Sequence, residues 1–338
     1  SMVRKSIRTG ALALVALLLA CSAWAQSESM DEIYKRALKE GGSLNFYGTL
    51  AQVNAEKILP VFEKRYPGLR INHIDATNDK LVARVIAEAR GGKTIADVLQ
   101  VNLSEAIQAH DQKLLSELNI PEAREYPESM KGSFWVASDL DIYIAGWNTN
   151  LVKKDEEPTQ FDDFADPKWK NRLIAEPRDV EILIGLAKYK FKSDEKAISL
   201  LKKIAANNPE FHRGHSQLVE LLIAGQAAAC FTCYSHHFPR RIQKGAPLNY
   251  MLTEGVAGIG SIAVLKNAPH PNTALLFARW ITSREGQKVM AAGGRTTAHP
   301  NVEPPEKVRT AKIYPISVAD IQEYPKYEKI WKEIFKLR

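Results

Sequence analysis

Residues 43–99 read SLNFYGTLAQVNAEKILPVFEKRYPGLRINHIDATNDKLVARVIAEARGGKTIADVL, and this stretch decides the fold class. Its hydrophobic periodicity predicts a strand at 43–47, a helix at 54–66, a strand at 69–74, a helix from 78 or 79 to 90, and a strand at 96–99. Strands that alternate with helices in this order form a parallel sheet covered by helices. The sequence therefore predicts an α/β fold.

Length and composition are those of a globular protein. The chain has 338 residues, of which 45% are apolar and 25% charged, enough for two lobes of about 150 residues each. The formal net charge is +7, and no lysine- or arginine-rich run is interleaved with aromatic residues. We therefore expect no nucleic-acid partner.

Residues 1–25 have the pattern of a signal peptide. Arg4, Lys5 and Arg8 precede the apolar segment 11–20, which is too short to span a bilayer, and Ala23-Trp24-Ala25 is a small-x-small cleavage site. Lipoprotein processing at Cys21 is an alternative, because residues 18–21 resemble a lipobox. Both alternatives predict export, and we expect the periplasm.

Residues 225–245, GQAAACFTCYSHHFPRRIQKG, have the pattern of a cleft rim. They predict a small-residue strand at 227–234, a polar turn at 235–237 and a short helix that begins at Pro239. Ligands of open α/β sheets bind beyond the carboxyl ends of strands, where helix N-termini offer free N–H donors. The turn is therefore expected to close on a small solute.

Two cysteines, Cys230 and Cys233, lie inside this predicted strand. Residues i and i+3 of a regular strand point to opposite faces, so a direct disulfide would be strained. We expect two small buried apolar side chains instead. The alternative is a metal cluster that adds His236 and His237 to the two cysteines, although this spacing is too close for a usual structural zinc site.

Several segments together resemble the periplasmic solute-binding proteins of bacterial ABC importers, and most closely their ferric-iron-binding branch. The segments that carry the resemblance are LNFYGTL, ILPVFEKRYPGLRI, DKLVARVIAEARGGKTIADV, AGWNTNLV, FDDFADPKWKNRLIAEPR and GIGSIAVLKNAPHPNTALLFARWITSREGQKVM. The resemblance implies a two-lobed type II periplasmic binding protein. Each lobe is then a mostly parallel sheet covered by helices, and two crossover strands join the lobes.

The resemblance also implies a domain layout and partners. We expect lobe 1 at 26–145, lobe 2 at 146–252, and a return to lobe 1 followed by C-terminal helices at 253–338. The crossovers are predicted at 142–148 and 255–262, where small residues suit a hinge. The partners are then a small-molecule solute and an inner-membrane ABC permease, and the chain is expected to be a monomer.

In lobe 1, the predicted site residues follow the first two strands: Tyr47, Gly48, Thr49, Thr77 and Asn78. Tyr47 would supply an aromatic wall or a phenol donor, Gly48 a close backbone approach, and the others short polar contacts. The alternative is that Tyr47 belongs to the core and that Thr77 and Asn78 only cap a helix.

In lobe 2, the predicted site residues are Arg178, Asp179, Tyr234, Ser235 and His236. In the iron-binding relatives that the sequence resembles, two adjacent tyrosines ligate ferric iron, and counting from Gly225 places those positions on Ser235 and His236. Tyr234 is one place early, and serine and neutral imidazole do not replace two phenolates. Asp179 and Glu181 would also satisfy the dipole of the helix that follows them.

Three ligand classes follow from these residues. The first is a small organic anion clamped by Arg178. Thr49 and Asn78 would be its polar contacts, and Tyr47 and Tyr234 its aromatic walls. The second is ferric iron or another transition metal bound by Tyr234 and His236, and the third is a cationic amine at Asp179 or Glu181. We favour the organic anion and predict no cofactor beyond such a metal ion.

No enzyme is predicted. Ser235 and His236 are adjacent, and adjacent residues rarely present their side chains to each other as a nucleophile and its base require. The sequence has no GxSxG elbow, Walker loop or dinucleotide fingerprint. His215, in a polar loop before a helix, is interpreted as a surface or locally hydrogen-bonded group and is not included in the site, and Arg295 is a weaker site candidate.

Overall fold

The structure is a computed structural model that describes residues 28–306 and 312–338. The predicted signal peptide at 1–25, including Cys21, lies outside the described residues.

In the residues that the structure describes, eleven strands form one mixed sheet. Their bounds are β1 Ser43–Gly48, β2 Arg70–Asp75, β3 Val98–Asn102, β4 Val136–Asn148, β5 Leu173–Ala175, β6 Glu210–Phe211, β7 Ala229–Tyr234, β8 Leu248–Tyr250, β9 Glu254–Val264, β10 Thr296–Thr297 and β11 Lys312–Pro315.

Twelve α-helices cover the sheet in the described ranges. Their bounds are α1 Met30–Lys39, α2 Gln52–Arg65, α3 Asn78–Arg90, α4 Leu103–Asp111, α5 Val180–Gly185, α6 Asp194–Ala205, α7 His215–Ile223, α8 Pro239–Gln243, α9 Pro271–Thr282, α10 Arg284–Ala292, α11 Val318–Gln322 and α12 Tyr324–Phe335. A π-helical turn, Leu186–Lys190, extends α5, and Ser235–His237 is a 3-10 turn.

Two long antiparallel strands occupy the centre of the sheet, whose order is β2-β1-β3-β9-β4-β7-β5-β6. The first part of β4 pairs with β9, and its last residues pair with β7 and β8. The last part of β9 pairs with β3. Because each long strand joins both halves of the sheet, β4 and β9 are the two predicted crossovers, and the two-lobed α/β architecture is confirmed.

We use lobe 1 for β1–β3 and β10 with helices α1–α4, α9 and α10, and lobe 2 for β5–β8 with α5–α8. Each lobe buries apolar side chains on both faces of its part of the sheet. The last helix, α12, packs on lobe 2, where its Tyr327 hydroxyl donates to Asp194 (2.7 Å) and its Trp331 indole donates to the Pro177 carbonyl (2.8 Å).

Local sequence signals explain the helix bounds. Ser193 caps α6 by accepting a hydrogen bond from the Lys196 amide, and Ala197, Leu200, Leu201 and Ile204 are its buried stripe. The first crossover, β4, begins at Val136, earlier than the predicted residue 142. The prediction began too late because Asp139 and Asp141 interrupt the apolar run of the sequence. Both aspartates are nevertheless strand residues of one face.

Cys230 and Cys233 form a disulfide, so the prediction of two free buried cysteines is wrong. Ile144 of β4 pairs with Cys233 and Gly146 pairs with Cys230, which leaves two residues of β7 opposite one residue of β4. This β-bulge turns both cysteines to the same face. The proposed metal cluster of Cys230, Cys233, His236 and His237 is also wrong, because its sulfur atoms are bonded to each other.

Candidate functional site

The floor of the candidate site is a row of polar side chains on β4. Asp139, Asp141 and Tyr143 alternate along the strand, and the residues paired with the two aspartates on β9 are Gly260 and Gly258. A Cβ atom at Gly260 would lie 2.2 Å from the Asp139 Oδ1 atom. Glycine on β9 therefore leaves room for the carboxylates.

Two phenols meet above this floor. Tyr234, the last residue of β7, pairs with Tyr143 of β4, and their hydroxyl oxygens are 3.4 Å apart. The His215 ring stacks on Tyr234 with a centroid distance of 3.5 Å. Burial raises the pKa of both tyrosines well above the usual value, and nearby carboxylates contribute to the rise. Both phenols are therefore neutral at pH 7.

Two carboxylates and an imidazole form a compact group beside the phenols. Glu176 follows β5, Asp179 precedes α5, and His215 is the first residue of α7. One ligand atom from each lies within 4.8 Å of the others, a spacing that could hold a metal ion. The His215 Nε2 atom is 2.9 Å from an Asp179 oxygen. The Thr232 hydroxyl accepts a hydrogen bond from the Glu176 amide (2.9 Å) and anchors this loop to β7.

Burial and like charge shape the electrostatics of this group. Burial raises the pKa of Asp179 well above the usual range, and Glu176 adds to the shift. Burial, with Asp179 nearby, raises the pKa of Glu181 to about 8. Burial lowers the pKa of His215 to about 4. Burial therefore favours the protonated forms of Asp179 and Glu181 and the neutral form of His215.

Arg295 connects the two lobes at the floor. Its guanidinium donates to Asp139 and Asp141, at 3.1 Å from Nε and 3.0 Å from Nη2, and to the His236 Nε2 atom at 2.7 Å. Since Nε2 accepts, the proton of the neutral His236 ring is on Nδ1, which has no hydrogen-bond partner within residues 28–306 and 312–338. Burial, together with the Arg295 charge, keeps the pKa of His236 well below the usual value.

The predicted lobe 1 residues are engaged within their own lobe. The Tyr47 ring is buried in the core and its hydroxyl donates to Glu88 (2.8 Å); burial, with Glu88, raises its pKa to about 12. The Thr49 amide and hydroxyl donate to the Gln100 side chain. The other three predicted residues also have contacts within lobe 1. The Gly48 carbonyl is 3.1 Å from His73 Nε2, and Thr77 is the N-cap of α3. The Asn78 side chain accepts a hydrogen bond from the Asn102 amide (2.7 Å).

The predicted lobe 2 residues come together. Asp179 and Tyr234 both contact His215, and His236 is at the floor. The Arg178 guanidinium is held by Glu176 (2.8 Å) and is half-exposed. Ser235 is fully buried, and its hydroxyl has no hydrogen-bond partner among the described residues.

Sequence reasoning missed Tyr143, Glu176, Asp141 and His215. The signal for two of them is the period-two alternation of Asp139, Asp141 and Tyr143, which indicates a strand with one polar face. Leu140 and Ile142 lie between these residues, and their apolar side chains belong to the opposite face. Sequence offers no such signal for His215, since its partner Asp179 is 36 residues away.

Comparison with known proteins agrees with this fold and cleft. A sequence model described as bacterial extracellular solute-binding protein matches residues 57–316. A relative from Serratia marcescens, named Fe(3+)-binding periplasmic protein, is 21% identical over 266 residues, which cover 73% of this chain and 78% of the relative.

Two solved structures share the fold. The substrate-binding protein of an ABC transporter from Agrobacterium tumefaciens superimposes with a TM-score of 0.75 at 15% identity, covering 88% of this chain and 96% of that one. AfuA from Actinobacillus pleuropneumoniae, solved with fructose-6-phosphate bound, gives a TM-score of 0.71 at 21% identity, covering 88% and 99%.

Among the described residues, no helix is both long and apolar enough to cross a membrane. The family match covers well over half of the chain, and the relatives are solute-binding proteins rather than enzymes. The chain therefore belongs to the bacterial extracellular solute-binding proteins, which serve ABC importers by delivering small solutes to a membrane permease.

Proposed function

We propose that this chain captures a metal cation, with ferric iron as its cargo, between the Tyr143–Tyr234 phenol pair and the group formed by Glu176, Asp179 and His215. The single observation that carries the proposal is the adjacency of these two sets, because His215 stacks on Tyr234 and hydrogen-bonds to Asp179. Phenolate and carboxylate oxygens are hard donors, and imidazole is a common iron ligand.

The charge of the site favours a cation over the organic anion that we expected from the sequence. Asp139 and Asp141 pair with Arg295, and Glu176 pairs with Arg178. Asp179 and Glu181 add two further carboxyls, so five carboxyls accompany two guanidiniums. Arg178, the expected clamp, already donates to Glu176. A bound cation would favour the ionised carboxyls and lower the pKa values of the phenols, which makes both groups anionic ligands.

One of the relatives supports the same cargo. The protein from Serratia marcescens is named for Fe(3+) binding. The adjacent tyrosines expected from the resemblance have no counterpart at Ser235 and His236, but Tyr143 from the crossover strand supplies a second phenol beside Tyr234. His236 stays a predicted ligand, although Arg295 already uses its Nε2 lone pair in this structure.

We also propose the setting in which capture takes place. The chain acts as a periplasmic monomer exported by residues 1–25, with lobe boundaries near residues 146 and 253. Closure of the lobes around the cargo buries it, and opening at the permease releases it. The antiparallel pair of β4 and β9 is the connection about which the lobes would move.

Metal analysis and native mass spectrometry of protein purified without chelators test the proposal. We expect one iron per chain and, on titration of metal-free protein with ferric nitrilotriacetate, a visible phenolate-to-iron charge-transfer band. Tyr250→Phe is the matched control, because Tyr250 lies on β8 outside the phenol pair. A stoichiometric organic anion, such as a phosphorylated sugar, with no iron band would contradict the proposal and restore the anion hypothesis.

A further inference from the structure

The β-bulge in β7 decides which face Tyr234 occupies. Tyr143 pairs with Tyr234 and Ile144 with Cys233, but Gly146 pairs with Cys230. Between the last two pairs, β4 has only Ala145. On β7, Phe231 and Thr232 occupy the same interval, so β7 carries the extra residue.

In a regular strand, Tyr234 would share a face with Cys230, since successive side chains alternate. The extra residue reverses that alternation beyond the bulge. Cys230 and Cys233 both pack in the apolar cluster of Ile144 and Phe238. Tyr234 packs on the opposite face, with Tyr143.

We propose that the Cys230–Cys233 disulfide locks this bulge, and so positions Tyr234 beside Tyr143 for the cargo. The effect on cargo rests on the function proposed above. The bridge spans the two bulge residues, and both of its cysteines are fully buried. It can close only while the two cysteines share a face, so the bond excludes the regular pairing in which Tyr234 would face away from Tyr143.

The same lock extends to the carboxylate group. Thr232, one of the two bulge residues, accepts the hydrogen bond from the Glu176 amide and is fully buried. A regular β7 would move this hydroxyl together with Tyr234. Two adjoining parts of the cargo site therefore depend on one bulge.

The test compares the oxidised protein with Cys230→Ala/Cys233→Ala and with reduced wild-type protein. For the latter, a water-soluble phosphine cleaves the S–S bond in urea, and the protein is refolded. The phosphine takes up oxygen from one water molecule to become its oxide, and the two hydrogens of that water complete the two thiols. Val219→Ala is the matched control, because it removes packing from the same cluster and leaves the bridge intact.

Two readouts are measured: affinity for ferric ion, added as ferric nitrilotriacetate, and amide hydrogen exchange of residues 229–238 without metal. We expect an affinity loss of about tenfold or more, as found for groups that orient metal ligands. Exchange of 229–238 should be faster in both forms that lack the bridge. The control should change neither readout, and the phosphine should not affect the double variant further.

Unchanged exchange in both forms that lack the bridge would overturn the lock, and faster exchange with unchanged affinity would overturn its role in positioning Tyr234. If the double variant does not fold, the reduced protein provides the comparison. If oxidised wild-type protein binds no ferric ion, the proposed function fails, and the exchange experiment alone decides whether the bridge holds the bulge.

Discussion

The two lobes use similar polar residues differently. In lobe 1, the Tyr47 hydroxyl and the Thr49 side chain are satisfied by Glu88 and Gln100 of the same lobe. In the described part of lobe 2, the Tyr234 hydroxyl has another phenol at 3.4 Å as its hydrogen-bond partner, and burial raises the pKa of the neighbouring Glu181 to about 8. The difference supports the cargo site that we propose in lobe 2, because its polar groups have fewer hydrogen-bond partners than those of lobe 1.

Arg295 is where the two regions meet, and its removal should have the largest effect. Arg295→Ala leaves Asp139 and Asp141 buried without their counter-ion, and we expect a loss of about 3 to 5 kcal/mol in the free energy of unfolding. Urea unfolding measures it. Arg65→Ala, which breaks an exposed ion pair with Glu285, is the control and should cost less than about 1 kcal/mol. Equal losses would mean that Arg295 does not hold the floor together.

The two buried tyrosines give the sharpest contrast between the lobes. Tyr234→Phe removes a phenolate ligand, and we expect the affinity for ferric ion to fall by about a hundredfold. Tyr47→Phe should leave that affinity unchanged and lower the free energy of unfolding by about 1 kcal/mol, because it loses only the bond to Glu88. Titration of the charge-transfer band and urea unfolding measure the two effects. A reversed result would move the site into lobe 1.

Glu181 tests whether lobe 2 carries uncompensated charge. Its pKa is about 8 in the folded protein against 4.5 for an ordinary glutamate, so the folded state retains a proton that the unfolded chain releases. The stability of the wild-type protein should therefore fall as pH rises from about 4.5 to 8, by at most about 1.4 kcal/mol per pH unit.

Glu181→Gln has no proton to lose at this position. Unfolding curves recorded between pH 5 and pH 8 should therefore show a stability advantage for the variant that grows with pH. Parallel stability profiles for the two proteins would place Glu181 in a well-compensated environment.

The smallest effect is expected at the first turn of lobe 1. Thr49→Val removes the hydroxyl that donates to Gln100 at 3.1 Å, and should cost about 1 kcal/mol or less in the free energy of unfolding. Calorimetric titration with ferric nitrilotriacetate should give an unchanged affinity. A large loss of affinity would show that the Thr49 turn contacts the cargo, and the distinction between the lobes would then disappear.

Periodic patterns were enough to predict the α/β fold class, and the resemblance supplied the two lobes, but neither predicted which residues pair across the sheet. The stripe Ala197, Leu200, Leu201 and Ile204 predicts its helix, because the i, i+3, i+4 spacing is local information. Tyr143 and His215 could not be found this way. Their closeness to Tyr234 depends on the strand register and on the bulge. The bulge adds one residue to β7, and no local pattern indicates it.

The cysteine prediction failed for the same reason. In a regular strand, the side chains of residues 230 and 233 point to opposite faces. A single extra residue between them places both side chains on the same face. The sequence spacing also placed the iron-type tyrosine pair one position away from Tyr234. The structure pairs that tyrosine across the sheet with Tyr143 instead of with its chain neighbour.

The glycine at position 260 limits how this protein can diversify. A single methyl group there would collide with Asp139, which also holds Gln100 (3.0 Å) and Arg295. Any side chain at position 260 therefore forces the Asp139 carboxylate to move, and its hydrogen bonds to Gln100 and Arg295 would be disturbed together. A single absent methyl group on β9 thus sets the position of the guanidinium that joins the two lobes.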